Sequence, residues 1–247
     1  MPDLARAKAP AGASPGGPPG AAGASPSHAA ARYLEAIYYL SHEGQEVRPG
    51  RLAEWLGVSA PTVTVALQRL VRDGLVRVDT GRSVSFTEEG EQAAAAAVRR
   101  HRVVECWLTE ELGFDWVTAD AEAERVAYAL SDVVLGRLYE KLGRPATCPH
   151  GNEIPGAVPR DRRLISLAVL EDGQAGQVSR ISELAEHDAP QVLGVLVDEG
   201  VIPGATVVAE SRSGDPGVVL VNVDGRRVAL SRATAASVWV EPAGPSG

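Results

Sequence analysis

The 247-residue chain lacks long apolar runs and has only two cysteines and two lysines. No window approaches the roughly 18 consecutive apolar residues that a membrane-spanning helix needs, so we expect no membrane contact. Two cysteines, Cys106 and Cys148, are too few for a secreted disulfide scaffold. We therefore interpret both as reduced thiols of a cytoplasmic protein.

The first 27 residues are almost entirely Ala, Gly, Pro and Ser. Such a segment cannot bury enough apolar surface to offset its ordering entropy, so residues 1–27 are predicted to form a disordered tail. They also lack the apolar stretch of a signal peptide. Residues 242–247 are predicted to be a second loose end.

The formal net charge of −8 argues at first against nucleic-acid binding, but the charge is unevenly distributed. Between residues 47 and 84, six arginines face three acids, which leaves +3 in a short segment. The six arginines are Arg48, Arg51, Arg69, Arg72, Arg77 and Arg82. A basic segment in an acidic chain indicates one surface suited to phosphates.

The residues around this segment follow the order of a winged helix-turn-helix. Helical apolar spacing over residues 29–42 precedes a short helix from Pro49 that ends at Gly57. Ser59 is a predicted N-cap of a third helix, and two short strands around Thr80 and Gly81 form a predicted wing. The order favours a DNA-binding domain over a generic small α+β domain.

The remainder of the chain divides into a helical part and a β-rich part. We predict a long helix over Glu88–Leu112 and a second over Ala119–Leu142, whose apolar stripe suits packing on a partner. Short strand-like runs follow Asp161, with a hairpin turn at Asp224-Gly225. The predicted fold is mostly α with small β parts, ending in an SH3-like barrel.

Five side chains are candidate metal ligands. His101 and Glu105 are four residues apart on one helix face, Asp120 lies near the start of the next helix, and Glu183 and Glu186 are three apart. One imidazole with several carboxylates suits Mn²⁺, Fe²⁺, Co²⁺ or Zn²⁺. Spacing alone does not bring the three groups together, and each pair alone is more typical of a solvated helix face.

Several motifs together resemble the diphtheria toxin repressor family of metal-dependent regulators, which includes the iron-dependent and manganese-transport regulators. They are YLEAIYYL, SAPTVTVALQRLVRDGLV, FTEEG, RRHRVVECWL, PHGNEIPG and, more loosely, DEGVIPGATV. The resemblance implies a winged helix-turn-helix domain over residues 28–92 and a helical metal-binding and dimerisation domain over 93–160. An SH3-like (FeoA-like) domain is expected over 161–242.

The resemblance also implies an ancillary metal site. The family builds it from a His and a Glu on one helix, a His on the next, and a Glu and a Gln from the SH3-like domain. His101, Glu105 and Glu183 match three of these positions, whereas Asp120 and Glu186 replace the second His and the Gln. We expect a retained, more acidic site that holds Fe²⁺ or Mn²⁺, with Zn²⁺ or Co²⁺ as further options.

The family's primary metal site is degenerate in this chain. Arg32 stands where the family has Met or Asp, and Ala127 and Tyr128 stand where it has Glu and His. Glu35 and Glu124 match carboxylates of the manganese-responsive branch. A cation and too few donors argue against metal there. Either Arg32 pairs with Glu124 and replaces the metal charge, or it faces solvent in a decayed site.

By resemblance, the DNA-reading positions are Ser59, Pro61, Thr62 and Thr64. Hydroxyls serve phosphates and bases, and Pro can contact a thymine methyl. Arg82 in the wing is a predicted phosphate contact. The Cys-x-His of the PHGNEIPG loop, Cys148 and His150, is a poor metal signal by spacing, and we interpret both residues as structural.

These features predict a metal-dependent repressor of metal-homeostasis genes that binds an inverted repeat of duplex DNA as a homodimer. The same regulator made metal-independent is the alternative. A metallohydrolase would need a nucleophile or a second catalytic His beside the acidic cluster. We recognise neither in the sequence, so we expect no enzyme activity. An iron-transport accessory that works through the SH3-like domain leaves the winged helix unexplained.

Overall fold

The computed structural model describes residues 26–158, 162–210 and 217–243. Most of the predicted N-terminal tail lies outside these ranges. Its last residue is not part of a tail, because the Ser27 side chain accepts the Ala30 N–H and caps the first helix. Among the described residues, no helix is long and apolar enough to cross a membrane.

The N-terminal domain is a winged helix-turn-helix. Its elements are α1 (His28–His42), α2 (Pro49–Leu56), α3 (Ala60–Arg72), β1 (Val76–Val78) and β2 (Val84–Phe86). The strands pair antiparallel, with Val76 opposite Phe86. Leu34, Ile37, Leu52 and Val63 are fully buried in one core that joins the three helices. The predicted element order is confirmed.

Local chemistry explains the helix-turn-helix boundaries. Gly57 ends α2 at a φ of 63°, a left-handed conformation that glycine adopts without side-chain strain. The Ser59 hydroxyl then accepts the Thr62 N–H at 3.4 Å, and Pro61 lies in the first turn of α3. The turn therefore follows from the sequence between the two helices.

The helical domain holds three helices where the sequence predicted two. They are α4 (Glu88–Leu112), α5 (Trp116–Val126) and α6 (Asp132–Lys141). The single predicted helix over Ala119–Leu142 is wrong, because the chain breaks before Ser131, which caps α6 by accepting the Val134 N–H. Arg100 of α4 donates to the carbonyls of Ala127 and Leu130, so the break keeps its polar groups paired.

The described residues of the C-terminal domain form a six-stranded antiparallel sheet with short helices. In chain order the elements are β3 (Ile165–Ser166), β4 (Ala175–Ile181), α7 (Glu183–Asp188), α8 (Gln191–Asp198), β5 (Thr206–Ala209), β6 (Val218–Val223), β7 (Arg226–Ser231), α9 (Arg232–Ala236) and β8 (Val238–Pro242). The strand order is β3-β8-β4-β5-β6-β7. Asp224 and Gly225 both have positive φ in the predicted β6–β7 hairpin.

Helix α7 matters for function because it lies between the C-terminal and N-terminal domains. It follows β4 directly and contacts α1. Its Leu184 packs against the core of the winged-helix domain, while the barrel keeps a separate core around Leu196 and Val221. No local sequence pattern indicated that α7 is such a bridge.

Candidate metal centre and nucleic-acid interface

The predicted DNA-reading residues lie on the exposed face of α3 and in the wing. Ser59, Pro61, Thr62 and Thr64 are all exposed. All three hydroxyls already have partners, because the Ser59 and Thr62 hydroxyl oxygens lie 2.8 Å apart and Thr64 donates to the Ala60 carbonyl. Arg82 is exposed at the hairpin turn with a φ of 66°. The arrangement presents hydroxyls and a cation on one domain surface.

A compact set of metal-ligand atoms lies in the helical domain, at Glu105, Cys148 and His150. One ligand atom from each lies within 4.8 Å of the others, and all three residues are buried. Glu105 comes from the middle of α4, and the other two come from the loop after α6. Sequence spacing did not identify this set, because the carboxylate is more than 40 positions from the Cys-x-His pair.

The contacts within the set are unusual for a structural ion pair. His150 Nδ1 lies 2.7 Å from Glu105 Oε1 and 3.9 Å from Cys148 Sγ. Among the described residues, His150 Nε2 is buried without a hydrogen-bond partner. Buried polar atoms are normally satisfied, so this nitrogen calls for an explanation such as a ligand.

The loop is held against the C-terminal domain by backbone contacts. The Ile181 N–H donates to the His150 carbonyl at 2.9 Å. Gly151 has a φ of 86°, and a Cβ there would lie 2.0 Å from the Ser179 carbonyl oxygen. Glycine is therefore required for this approach. The Trp116 ring meets the His150 ring edge-on at 4.9 Å and helps to orient it.

The pKa values of Cys148 and His150 reflect their burial and their acidic neighbours. Burial and the negative charge of Glu105 raise the pKa of the Cys148 thiol well above its usual range. Burial lowers the pKa of His150, but the adjacent Glu105 carboxylate outweighs it and raises the pKa. Without a cation, the site therefore holds protons that a metal would have to displace.

The structure does not gather the five sequence-predicted ligands at one point. Glu105 lies in the set just described, while His101 Nε2 lies 3.0 Å from Asp120 Oδ1. Glu183 pairs with Arg102 of α4. Glu186 accepts from Asn152 at 3.1 Å and lies 3.5 Å from His150 Nδ1. Glu105 and Glu186 are thus the two predicted ligands that lie beside His150.

A cleft of about 170 Å³ connects the predicted metal positions. Four of the five ancillary positions line it, together with remnants of the primary site. They are His101, Asp120, Glu183, Glu186, Arg32, Glu35 and Glu124. Burial lowers the pKa of His101, but Asp120, with Glu35 and Glu105, raises it to about 10. A protonated imidazole balances the acids of this cleft.

The remnants of the primary site form a protein-only contact. Arg32 Nε lies 2.7 Å from Glu124 Oε1, so α1 is tied to α5 by an ion pair. Burial raises the pKa of Glu35, which faces the Tyr128 side chain. Ala127 is fully buried and offers no ligand atom. These residues do not fit a divalent cation, because an arginine stands where the resemblance implies a ligand.

Comparisons with known proteins cover all three domains. Three family models match: iron dependent repressor, N-terminal DNA binding domain, over residues 27–84; iron dependent repressor, metal binding and dimerisation domain, over 87–156; and FeoA domain, over 165–242. The matched descriptions agree with the winged helix, the helical domain and the barrel described above. The DNA-binding domain and the dimerisation domain indicate that the chain's partners are DNA and a second copy of itself.

Individual relatives match along nearly their whole length. The iron-dependent repressor IdeR of Mycobacterium tuberculosis is 36% identical over 220 residues, spanning 85% of this chain and 95% of IdeR. The diphtheria toxin repressor of Corynebacterium diphtheriae is 32% identical over the same coverage. A manganese-dependent transcriptional repressor in complex with manganese has a TM-score of 0.75 at 35% identity, covering 86% of this chain and 99% of that one.

The three-domain architecture and these relatives define a DNA-binding transcriptional regulator. The chain belongs to the iron-dependent repressor family of metal-dependent transcriptional repressors. The predicted resemblance, fold class and family function are confirmed. The relatives are repressors.

Proposed function

We propose that this chain represses metal-homeostasis genes when a divalent metal binds at Glu105, Cys148 and His150. The observation that carries the proposal is the convergence of three buried ligand atoms within 4.8 Å. Donors at about 2.0–2.3 Å from one ion lie at most about 4.6 Å apart, so these atoms can share a cation once Glu105 Oε1 and His150 Nδ1 separate from their 2.7 Å contact. Glu186 is the nearest further carboxylate.

The ligand types favour a transition metal over a hard cation. Thiolate suits Zn²⁺ and iron, imidazole suits Zn²⁺ and Fe²⁺, and carboxylate also accepts Mn²⁺. We therefore place Fe²⁺ and Zn²⁺ ahead of Mn²⁺ and Co²⁺. Because the metal binds thiolate and neutral imidazole, binding releases protons, and its affinity should rise with pH.

His101 and Asp120 form the alternative ligand set, with Glu105, Glu183 and Glu186. Their support is the shared cleft, which His101, Asp120, Glu183 and Glu186 line. In this arrangement Glu105 and Glu183 would have to leave His150 and Arg102, their present partners. In the buried set only the Glu105–His150 contact has to give way to the ion, and Glu183 keeps Arg102, so we prefer it.

DNA recognition is assigned to α3 and the wing of a dimer. Exposed Thr62 and Thr64 are suited to base edges and phosphates, and Arg82 to phosphates. In the segment matched by the dimerisation model, Val133 and Val134 of α6 are 75% and 44% exposed. Large exposed apolar side chains on one helix suit a subunit interface. A symmetric dimer reads an inverted repeat.

We assign no catalytic role to the metal. Catalytic metals keep an open position for water and substrate, whereas Glu105, Cys148 and His150 are each no more than 5% exposed. A buried ion instead links α4 to the loop at the C-terminal domain. We place the chain in the cytoplasm, where the thiols stay reduced. An iron-transport accessory role is less well supported because it leaves the winged helix without a purpose.

The test uses the full chain and its own promoter region under anaerobic, reducing conditions. Cys148→Ser should lose metal affinity by about tenfold or more, and should lose metal-dependent operator binding in fluorescence anisotropy. Cys106→Ser is the matched control, because Cys106 is equally buried but lies outside the set. Bound Co²⁺ should show a thiolate charge-transfer absorption only when Cys148 is present.

Two outcomes overturn the assignment. If Cys148→Ser binds metal like the parent while His101→Ala does not, the ligands are the alternative set in the cleft. If no divalent metal changes operator binding by the parent, the chain is a metal-independent regulator.

A further inference from the structure

Helix α7 contacts the proposed metal centre with one side and the DNA-binding domain with the other. It has only six residues, Glu183–Asp188. We propose that α7 transmits metal occupancy to the DNA-binding domain through a latch. The latch consists of His187 and Asp188 of α7 and their contacts with α2. This inference rests on the proposed function and adds the positioning residues through which the metal acts.

The inner side of α7 is built from acids. Glu183 pairs with buried Arg102 of α4. Glu186 lies 3.5 Å from His150 Nδ1 and accepts from Asn152 at 3.1 Å. Glu186 therefore faces the same imidazole that Glu105 approaches at 2.7 Å. A cation among these like charges would relieve their repulsion and hold α7 in place.

The outer end of α7 holds α2. The His187 ring stacks on the Trp55 ring at 3.7 Å with an interplanar angle of 12°. His187 Nε2 also lies 2.8 Å from the Trp55 carbonyl oxygen. Asp188 Oδ2 accepts from Arg51 Nη2 at 2.6 Å. A stacked ring, a backbone hydrogen bond and an ion pair together fix the orientation of α2 relative to α7.

The chain entering α7 is anchored to the end of α1. Glu43 Oε1 lies 2.5 Å from Arg180 Nη1 and accepts the Glu183 N–H at 3.2 Å. Its other oxygen accepts the Ser182 hydroxyl at 3.1 Å. These contacts need no metal. They fix the start of α7, so a metal at the buried set, next to Glu186, would affect how the far end of α7 packs on α2.

This route differs from the one implied for the primary site, which joins α1 to the helical domain. In this chain Arg32 and Glu124 supply that connection without metal. The connection from the buried set to α2 runs instead through one turn of helix, from Glu186 to His187 and Asp188. Since α2 packs on α3, fixing α2 also fixes the reading helix.

The experiment compares the full-length parent with His187→Ala/Asp188→Asn, which retains all proposed ligands. Glu199→Gln is the matched control, because it removes a surface ion pair elsewhere in the same domain. Metal stoichiometry is measured by equilibrium dialysis with Fe²⁺ and Zn²⁺. Operator affinity is measured by anisotropy with and without each metal, and circular dichroism confirms folding. The single variant Asp188→Asn changes only a half-exposed side chain and guards against misfolding.

We expect the double variant to bind the same number of ions as the parent, while the metal-dependent gain in operator affinity falls by about tenfold. Asp188→Asn should show a smaller loss, and Glu199→Gln none. If the double variant keeps the parent's gain, the latch is refuted and the proposed function stands. Loss of metal stoichiometry, or tight operator binding without metal, also refutes the latch. A parent that does not respond to metal refutes the proposed function itself.

Discussion

Replacing Arg32 with Met removes the ion pair that joins α1 to α5. Arg32 Nε lies 2.7 Å from Glu124 Oε1, and the two side chains are 41% and 47% exposed. By resemblance, this is where the family uses a metal to fix the winged helix against the helical domain. Arg32→Met therefore tests whether a guanidinium replaces that metal.

The exposure sets the size of the effect. Breaking a fully buried pair costs about 3–5 kcal/mol, because the remaining charge is left uncompensated. A solvent-exposed pair contributes about 0–1 kcal/mol. Half-exposed partners lie near the second case, so we expect Arg32→Met to weaken operator binding by at most about fivefold. Arg32→Met/Glu124→Gln should recover part of this loss, since it also removes the unpaired carboxylate.

The assay is operator anisotropy for the parent, both single variants and the double variant, with metal and with chelator. Arg125→Met is the control, because Arg125 pairs with Glu122 within α5. If the losses of the two single variants simply add in the double variant, the Arg32–Glu124 pair contributes nothing to operator binding. A loss above about thirtyfold would show instead a desolvated pair, against the exposure argument.

The converse change rebuilds the primary site. Arg32→Asp with Ala127→Glu and Tyr128→His would complete the ligand set that the resemblance implies, together with Glu35 and Glu124. We expect one additional ion per subunit by equilibrium dialysis, because the arginine is replaced by donors. An unchanged stoichiometry would show that the helix positions, and not the missing ligands, prevent metal binding.

Further expectations concern the DNA surface and the metal loop. Thr62→Ala/Thr64→Ala should abolish preference for the operator over random duplex, whereas Arg82→Ala should weaken both and reduce the salt slope by about one ion. Operator selectivity in the double variant would show that another element reads the bases. Gly151→Ala should destabilise the fold by about 2–4 kcal/mol in urea unfolding, because its Cβ meets the Ser179 carbonyl at 2.0 Å. A parent-like midpoint would show that the loop can move away from β4.

Local signals explain why the N-terminal half was predicted well. Ser59 and Gly57 fix the ends of helices within a few residues, and α4 begins and ends where its sequence pattern predicted. The break between α5 and α6 was missed because it depends on Arg100, about 30 positions away. Apolar spacing continues across the break and resembles one helix.

The metal-ligand set depended on folding that no local pattern contains. Glu105 was a candidate because of its spacing from His101, yet the structure places it beside His150. The Cys-x-His pair was interpreted as structural since two residues on a loop seldom make a site. The missing information was how the loop folds back on α4, which requires the left-handed Gly151.

The two connections to the DNA-binding domain differ in what they respond to. The Arg32–Glu124 pair joins α1 to α5 without metal, whereas the proposed link through α7 would respond to an ion at the buried set. A regulator with two metal sites per subunit can combine both for a steep response. With one responsive site per subunit, a dimer has two, and the Hill coefficient of metal-dependent operator binding cannot exceed about two. Replacing a ligand with arginine therefore makes the response of operator binding to metal less steep, and in return it fixes the orientation of the two domains.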